Sequence, residues 1–372
     1  MSRRTLIILA GLSLVLAAIL VLSRFDFGRG QDTGGLHAPG LAERIGDLES
    51  LRVVHAGNEV LATLLRGENG WVVAEKDRHP ANFERFRSLL DALAQARRVE
   101  RKTARAEFYS RLGVDDPSGP EATGYLLELD YGGRHPAEGF IVGRRAGAGM
   151  AYIRTAGEAQ SWMVSADFDL SDLARDWLDR EVIDLASGDI RRVMLDRGGE
   201  DRLEIRKDDA GDLNFTPLDI PEGRELSYGS VANSIAGALA NVEANDVRSA
   251  AEVSGLPRAA EASYETFDGL KLSLDVRKDA AALTEEGADD DPRYWVVFSA
   301  AAMPARNQGD REGEADGEAP GSSGETDPQE AAPGPEERAA ELNAKLGGWA
   351  YQLPVYKSDQ WFKTMNDLLK DE

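Results

Sequence analysis

The groups in this 372-residue chain that could do acid–base or metal chemistry are four histidines, His37, His55, His79 and His135, and 66 acidic residues. The histidines fall on a tether, a strand, a helix start and a turn. None belongs to a zinc-ligand pattern such as H-E-x-x-H, so no metal residue is predicted. The absence of cysteine excludes disulfides, thiolate ligands, cysteine nucleophiles and lipid attachment at an N-terminal cysteine. There is no G-x-S-x-G elbow, no P-loop and no G-x-G-x-x-G after a strand. Gly147 and Gly149 need only the backbone freedom of a hairpin turn. Asp167-Phe-Asp169-Leu-Ser171-Asp172 starts like a calcium loop. Asp172 then stands where the loop needs Gly, and Leu178 where it needs a bidentate Glu. A helix start capped by Asp169 or Ser171 accounts for the run better. Asp289-Asp290-Asp291 reads as a solvated loop. A hydrolase needs only two carboxylates brought together by the fold, and no pair stands out among so many. Catalytic, cofactor-binding and metal residues are therefore none, and no cofactor is expected.

Two further sets could bind. Arg97, Arg98, Arg101, Lys102 and Arg105 form one basic cluster in a chain of net charge -23. Anionic lipid headgroups or an acidic partner would suit it. Cations near a helix C-terminus and on a solvated face are the plainer account. The net acidity argues against nucleic acid as a partner, since that needs a large basic surface. Trp71, Trp162, Trp295 and Trp349 sit in strand-like runs and are expected in the core, with a sugar-stacking platform as the alternative.

The elements that must position these residues begin with Thr5–Leu22, 18 residues without a charge. As a helix they would be about 27 Å long, close to the ~30 Å hydrocarbon core of a bilayer. Arg3 and Arg4 precede them, so residues 1–4 are expected in the cytoplasm and everything after the span outside it. Bulky residues end the run where a cleavage site would need small ones, which favours an uncleaved anchor over a signal peptide. Residues 23–50 are expected to be a flexible tether.

Strand-like runs follow at LRVVHA, EVLATLLR and GWVVAE. A helix starts at His79-Pro80 with Phe83, Phe86, Leu90 and Leu93 on one face, and a short helix over Arg105–Leu112 stops at Gly113. Three more strand-like runs precede SWMVSADFDLSDLARDWLDR. In the second half, strands at 192–195, 202–205 and 212–217 lead to a helix capped by Ser227, with Val231, Ile235, Leu239 and Val242 on one face. A hairpin turning at Asp268-Gly269 and the strand RYWVVFSAA then precede GWAYQLPVYKSDQWFKTM. One order of elements, closing on a Trp strand and a Trp helix, is written twice. The predicted fold is α+β: one transmembrane helix, then related units over 51–187 and 188–372. Each is a mostly antiparallel sheet with one or two packed helices. Residues 304–338 carry ten acidic residues, three arginines and no Val, Ile, Leu, Met or aromatic, and are expected to be a disordered acidic insertion in unit two.

Several phrases resemble the bacterial domain-of-unknown-function family 4340. They are Trp71-Val-Val, His79-Pro80-Ala81-Asn82, Lys102-Thr103-Ala104, Phe108 to Pro117 (FYSRLGVDDP), Ile141-Val142-Gly143, Ser161-Trp162, Asp176 to Arg180 (DWLDR) and Thr266 to Leu270 (TFDGL). The family often has Tyr-Pro-Ala-Asp where this chain has His79-Pro80-Ala81-Asn82. The resemblance implies a membrane-anchored extracytoplasmic protein encoded beside an ABC transporter of the gliding-motility type, and it carries no catalytic residues.

The expectation is a non-enzymatic accessory or scaffold protein of an envelope transport complex. It would be held by one span in the bacterial inner membrane, with the ABC transporter subunits as partners. The alternatives are a glycan- or small-ligand-binding module and a carboxylate-dependent hydrolase.

Overall fold

A computed structural model describes residues 33–198, 202–279, 293–304 and 333–371. The expected cytoplasmic residues 1–4, the span at 5–22, residues 23–32 of the tether, Asp289–Asp291 and residues 305–332 of the insertion lie outside the described residues. Among the described residues no helix is long and apolar enough to cross a membrane. The chain divides into two units between Asp179 and Arg180.

Unit one is built on nine strands: β1 (Ser50–His55), β2 (Glu59–Arg66), β3 (Trp71–Val73), β4 (His79–Pro80), β5 (Arg97–Arg101), β6 (Tyr125–Asp130), β7 (Glu138–Gly147), β8 (Met150–Thr155) and β9 (Ser161–Ser165). They form one sheet in the order β4-β3-β2-β1-β6-β7-β8-β9-β5. Alternation puts Leu51 and Val53 of β1 inward. They stand opposite Leu64 and Ala62 of β2 and opposite Leu129 and Leu127 of β6, all buried. The helix α1 (Phe83–Gln95) buries Phe86, Leu89, Leu90, Leu93 and Ala94. Its cap is Asn82, whose side chain accepts from Arg85 N at 3.0 Å. His79 and Pro80 form a short strand ahead of it rather than its first turn, and Phe83 is exposed.

Residues 33–50, expected as tether, are folded onto this unit. Leu41 and Leu48 are fully buried, and Leu36 bridges to Arg97 of β5. Their spacing is too short and irregular to read as an element, and their partners are distant in sequence: residues 34–37 pair along β5, and the turn of helix at Leu41–Arg44 lies against α1.

Unit two holds β10 (Glu181–Ile183), β11 (Ile190–Asp196), β12 (Arg202–Arg206), β13 (Thr216–Pro217), β14 (Val242–Glu243), β15 (Asp246–Ser249), β16 (Arg258–Thr266), β17 (Leu270–Asp279), β18 (Arg293–Ala302) and β19 (Trp349–Gln352). Eight of them form the sheet β13-β12-β11-β16-β17-β18-β19-β15, while β10 pairs with β14. That pairing, with Leu185 N donating to Leu239 O, moves the expected boundary at 187/188 back to 179/180. Every strand pairing among the described residues is antiparallel, and helices are few.

With β4 set aside, unit one has the connectivity of the unit-two sheet strand for strand: three meandering strands, a helical stretch, a strand sent to the far edge, then four more. The two Trp phrases take equivalent places. β9 and β19 each neighbour the edge strand, and Trp177 and Trp361 are buried in the helical turns that follow. The helical stretch of unit two is shorter than expected, with one α turn at Asn233–Ala236 and a tighter turn at Gly237–Leu239. Val231, Ile235, Leu239 and Val242 are all buried, but Val242 lies on β14. Ser227 donates to Leu368 O instead of capping.

The last residues of the predicted insertion are also ordered, because Pro335–Leu346 forms α2 and Pro335 suits its first turn. The described ends of the insertion meet at the β16–β17 turn. Met303 N donates to Gly269 O at 2.7 Å, and a Cβ on Gly269 would lie 3.9 Å from Pro335.

Candidate functional site

The phrase LGVDDP closes the short helix Tyr109–Leu112. Gly113 takes a φ of 71°, which a glycine adopts without a steric cost. The loop beyond is held by Arg154 of β8, which is buried. Its guanidinium donates to Val114 O (2.9 Å), Glu158 O (3.0 Å) and Asp116 Oδ1 (3.0 Å), and it stacks on the Tyr109 ring at 4.5 Å. Gly143 and Gly124 let β7 and the start of β6 approach this loop. A Cβ on Gly143 would collide with Leu112 O, and one on Gly124 with Gly113 O. These phrases specify a packed corner of the unit.

The histidines disperse. His37 and His79 are buried, and burial lowers both from the usual imidazole range. His37 is carried down to about 4, with Arg98 adding to the effect. His55 stacks beside Tyr125. His135 meets Asp47 at 3.0 Å, a pair 88 residues apart that no local pattern announces. The His135 hydrogen bond, helped by Arg134, holds the Asp47 carboxyl below its usual range. Arg134 also reaches Glu49 at 3.4 Å, so the turn carrying both is clamped onto residues 47–49.

The calcium-like run is engaged internally: Asp167 with Arg145 (2.9 Å), Asp169 with Arg85 (3.0 Å), and Ser171 Oγ donating to Asp176 while accepting from Leu173 N. Neither Asp169 nor Ser171 caps the turn at 174–177. Among the described residues no group of three or more histidines and carboxylates is arranged to hold a metal ion. Trp162, Trp177, Trp295 and Trp361 are buried, and Trp71 and Trp349 half-buried, so the tryptophans form core and not an open platform. A cleft of about 800 Å³ in unit two includes Arg191, Glu265, Asp268 and Lys271. Glu265 lies between Arg192 (3.7 Å) and Lys271 (3.9 Å), and Asp268 pairs with Arg338.

What stays available are surfaces. On unit one, β5 is an edge strand bearing Arg97, Arg98, Arg101 and the exposed Val99, with Lys102 and Arg105 just beyond. On unit two, Leu213 is 87% exposed and Tyr228 61%. Their chain neighbours lie close, since a Cβ on Gly229 would stand 3.7 Å from Asn214 Nδ2, and Asn233 bonds Leu213 O, Asn214 Oδ1 and Phe215 N. Tyr356 and Val355 are exposed on the C-terminal helical turn.

This is a two-unit antiparallel α+β protein whose notable polar clusters brace its own loops. Residues 71–267 match the model of the family described as Domain of unknown function (DUF4340). The match covers more than half of the chain, so the chain belongs to that family. No curated protein and no solved structure matches it.

Proposed function

We propose that the protein is a non-enzymatic, membrane-anchored extracytoplasmic scaffold or accessory subunit of an envelope transport complex, of the ABC type that the family resemblance implies, built from two copies of one unit. The observation that carries this reading is the exposed apolar corner at Leu213 and Tyr228. Side chains of that size lose free energy in water and are retained at the surface most simply to be covered by a partner. The edge strand β15, which pairs with β19 alone in its sheet, gives a second mode of contact. The uncharged run 5–22 would hold the body at the membrane.

Crosslinking the full-length protein in its native membranes tests this reading. Transporter permease or auxiliary subunits should come down with it, and the yield should fall at least tenfold for the Leu213→Asp/Tyr228→Asp variant with its thermal transition unchanged. A protein that comes down alone, or a yield indifferent to the variant, overturns it.

A further inference from the structure

Residues 97–111, RRVERKTARAEFYSR, hold six cations (Arg97, Arg98, Arg101, Lys102, Arg105 and Arg111) against Glu100 and Glu107, a net +4 in a chain of net -23. The fold gathers much of this charge on one margin. β5 pairs on its inner side with β9 alone. Arg97 and Arg98 donate to the carbonyls of Gly34 and His37, and Arg101 to Gln160 Oε1. These acceptors are uncharged, and among the described residues no carboxylate pairs with the three guanidinium groups. Lys102 and Arg105 meet Glu100 and Glu107, which consumes both carboxylates of the stretch. Two apolar groups lie within the basic strip. Val99 is 43% exposed, and the Phe108 ring sits between Arg105 at 5.0 Å and Arg111 at 4.8 Å.

The second observation is where the described chain begins. Residues 34–37 run along the outer margin of β5: Gly34 N donates to Arg98 O, Arg98 N to Gly35 O and His37 N to Ala96 O. The body is therefore joined to its N-terminal segment at the basic strip itself. Ten residues, 23–32, lie between Leu22 and Thr33, which makes eleven steps along the chain. Even fully extended they reach no more than about 40 Å, and as a flexible coil about 18 Å. A span at 5–22 would thus hold this margin, and no other part of the body so directly, next to a bilayer surface.

We propose that the β5 margin of unit one docks on the anionic lipid headgroups of the membrane that carries the anchor. This rests on the anchored reading of the chain. Cations within a Debye length of an anionic leaflet each gain roughly fivefold in partitioning, and the tether supplies the proximity that an acidic body would otherwise lack. Val99 and Phe108 reach the level of the headgroups, and the docked strip fixes which way unit one faces.

The test uses the full-length protein, with Ala104→Cys labelled by a fluorophore (the chain has no other cysteine), in vesicles of pure phosphatidylcholine or with 30% phosphatidylglycerol, each doped with acceptor lipid. Energy transfer should be at least twofold higher in the anionic vesicles and fall to the neutral value in 0.5 M salt. It should also be lost in the R97E/R101E/R105E variant, which still floats with both vesicles. Equal transfer in the two vesicles, or transfer indifferent to salt, overturns the proposal and leaves an acidic protein as the occupant of the strip. The lipid and salt comparisons need no variant, so misfolding of the triple variant would not obscure them. Failure of the wild-type protein to float with neutral vesicles would sink the anchor alone. Salt-sensitive flotation with anionic vesicles would then still support the strip, and its absence would end it.

Discussion

Replacing Arg154 with Met would leave the buried carbonyl of Val114 without its donor, and remove a second, partly buried bond to Glu158 O. An unsatisfied buried acceptor costs about 1–3 kcal/mol, so Arg154→Met should lower the stability of unit one by about 2–3 kcal/mol in urea titrations. Asp116 is largely exposed, and Asp116→Asn should cost less than about 1 kcal/mol. Equal losses from the two substitutions would mean that the ion pair, and not the carbonyl bonds, holds the loop. His37 sets a pH dependence. Its folded pKa of about 4 lies below the ordinary 6.5, so as pH falls the unfolded chain takes up the proton first. Stability is therefore full above about pH 6.5 and declines toward pH 4, by about 3 kcal/mol at most from this residue. His79 is lowered too and acts with the same sign. His37→Leu should give a shallower decline over that window in denaturation series, and an unchanged slope would remove His37 as its source.

At the scale of elements, the helix α1 was legible because Phe86, Leu90 and Leu93 repeat at helical spacing, and its cap was not. His79-Pro80 looked like a helix start, but pairing with β3 at Val72 and Val73 takes both residues into the sheet and hands the cap to Asn82. Asn82→Ala should cost about 1 kcal/mol, while Asn82→Asp, the residue the family often carries there, should be nearly neutral. Thermal unfolding of the two variants separates them, and equal losses would mean that the cap bond is idle. Gly143 belongs to a phrase that carries the family resemblance, and its reason is visible only in the fold: the backbone of Leu112–Gly113 passes where a Cβ would be. Gly143→Ala should destabilise unit one by about 1–3 kcal/mol, as overpacking does, and a stable variant would show that the loop can yield.

For the whole molecule, the insertion offers the clearest prediction. Its described ends meet at Gly269, so a short link can close the gap that residues 305–332 span. Shortening a flexible loop twofold gains about 0.6 kcal/mol. Replacing these 28 residues with a seven-residue Gly-Ser linker should therefore leave unit two folded and about 1 kcal/mol more stable to urea. A loss of the fold would show that the acidic segment is part of the unit's structure.

The sequence by itself determined which residues face inward along most strands, since a period of two is written locally in runs such as Leu270, Leu272, Leu274 and Val276. It also settled the absence of thiol chemistry and the recurrence of one order of elements. Which strands become neighbours was decided only in three dimensions. β1 lies beside β6, β5 crosses to the far edge beside β9, and β15 does the same beside β19. Alternation specifies a face and not a partner, and a partner is chosen by the summed packing of residues dozens of positions apart. The same holds for His135 on Asp47, for Arg154 on the Val114 carbonyl and for residues 34–37 along β5. Each contact joins segments with no sequence signal in common, and each exists because the sheet and the burial beneath it bring those segments to one place.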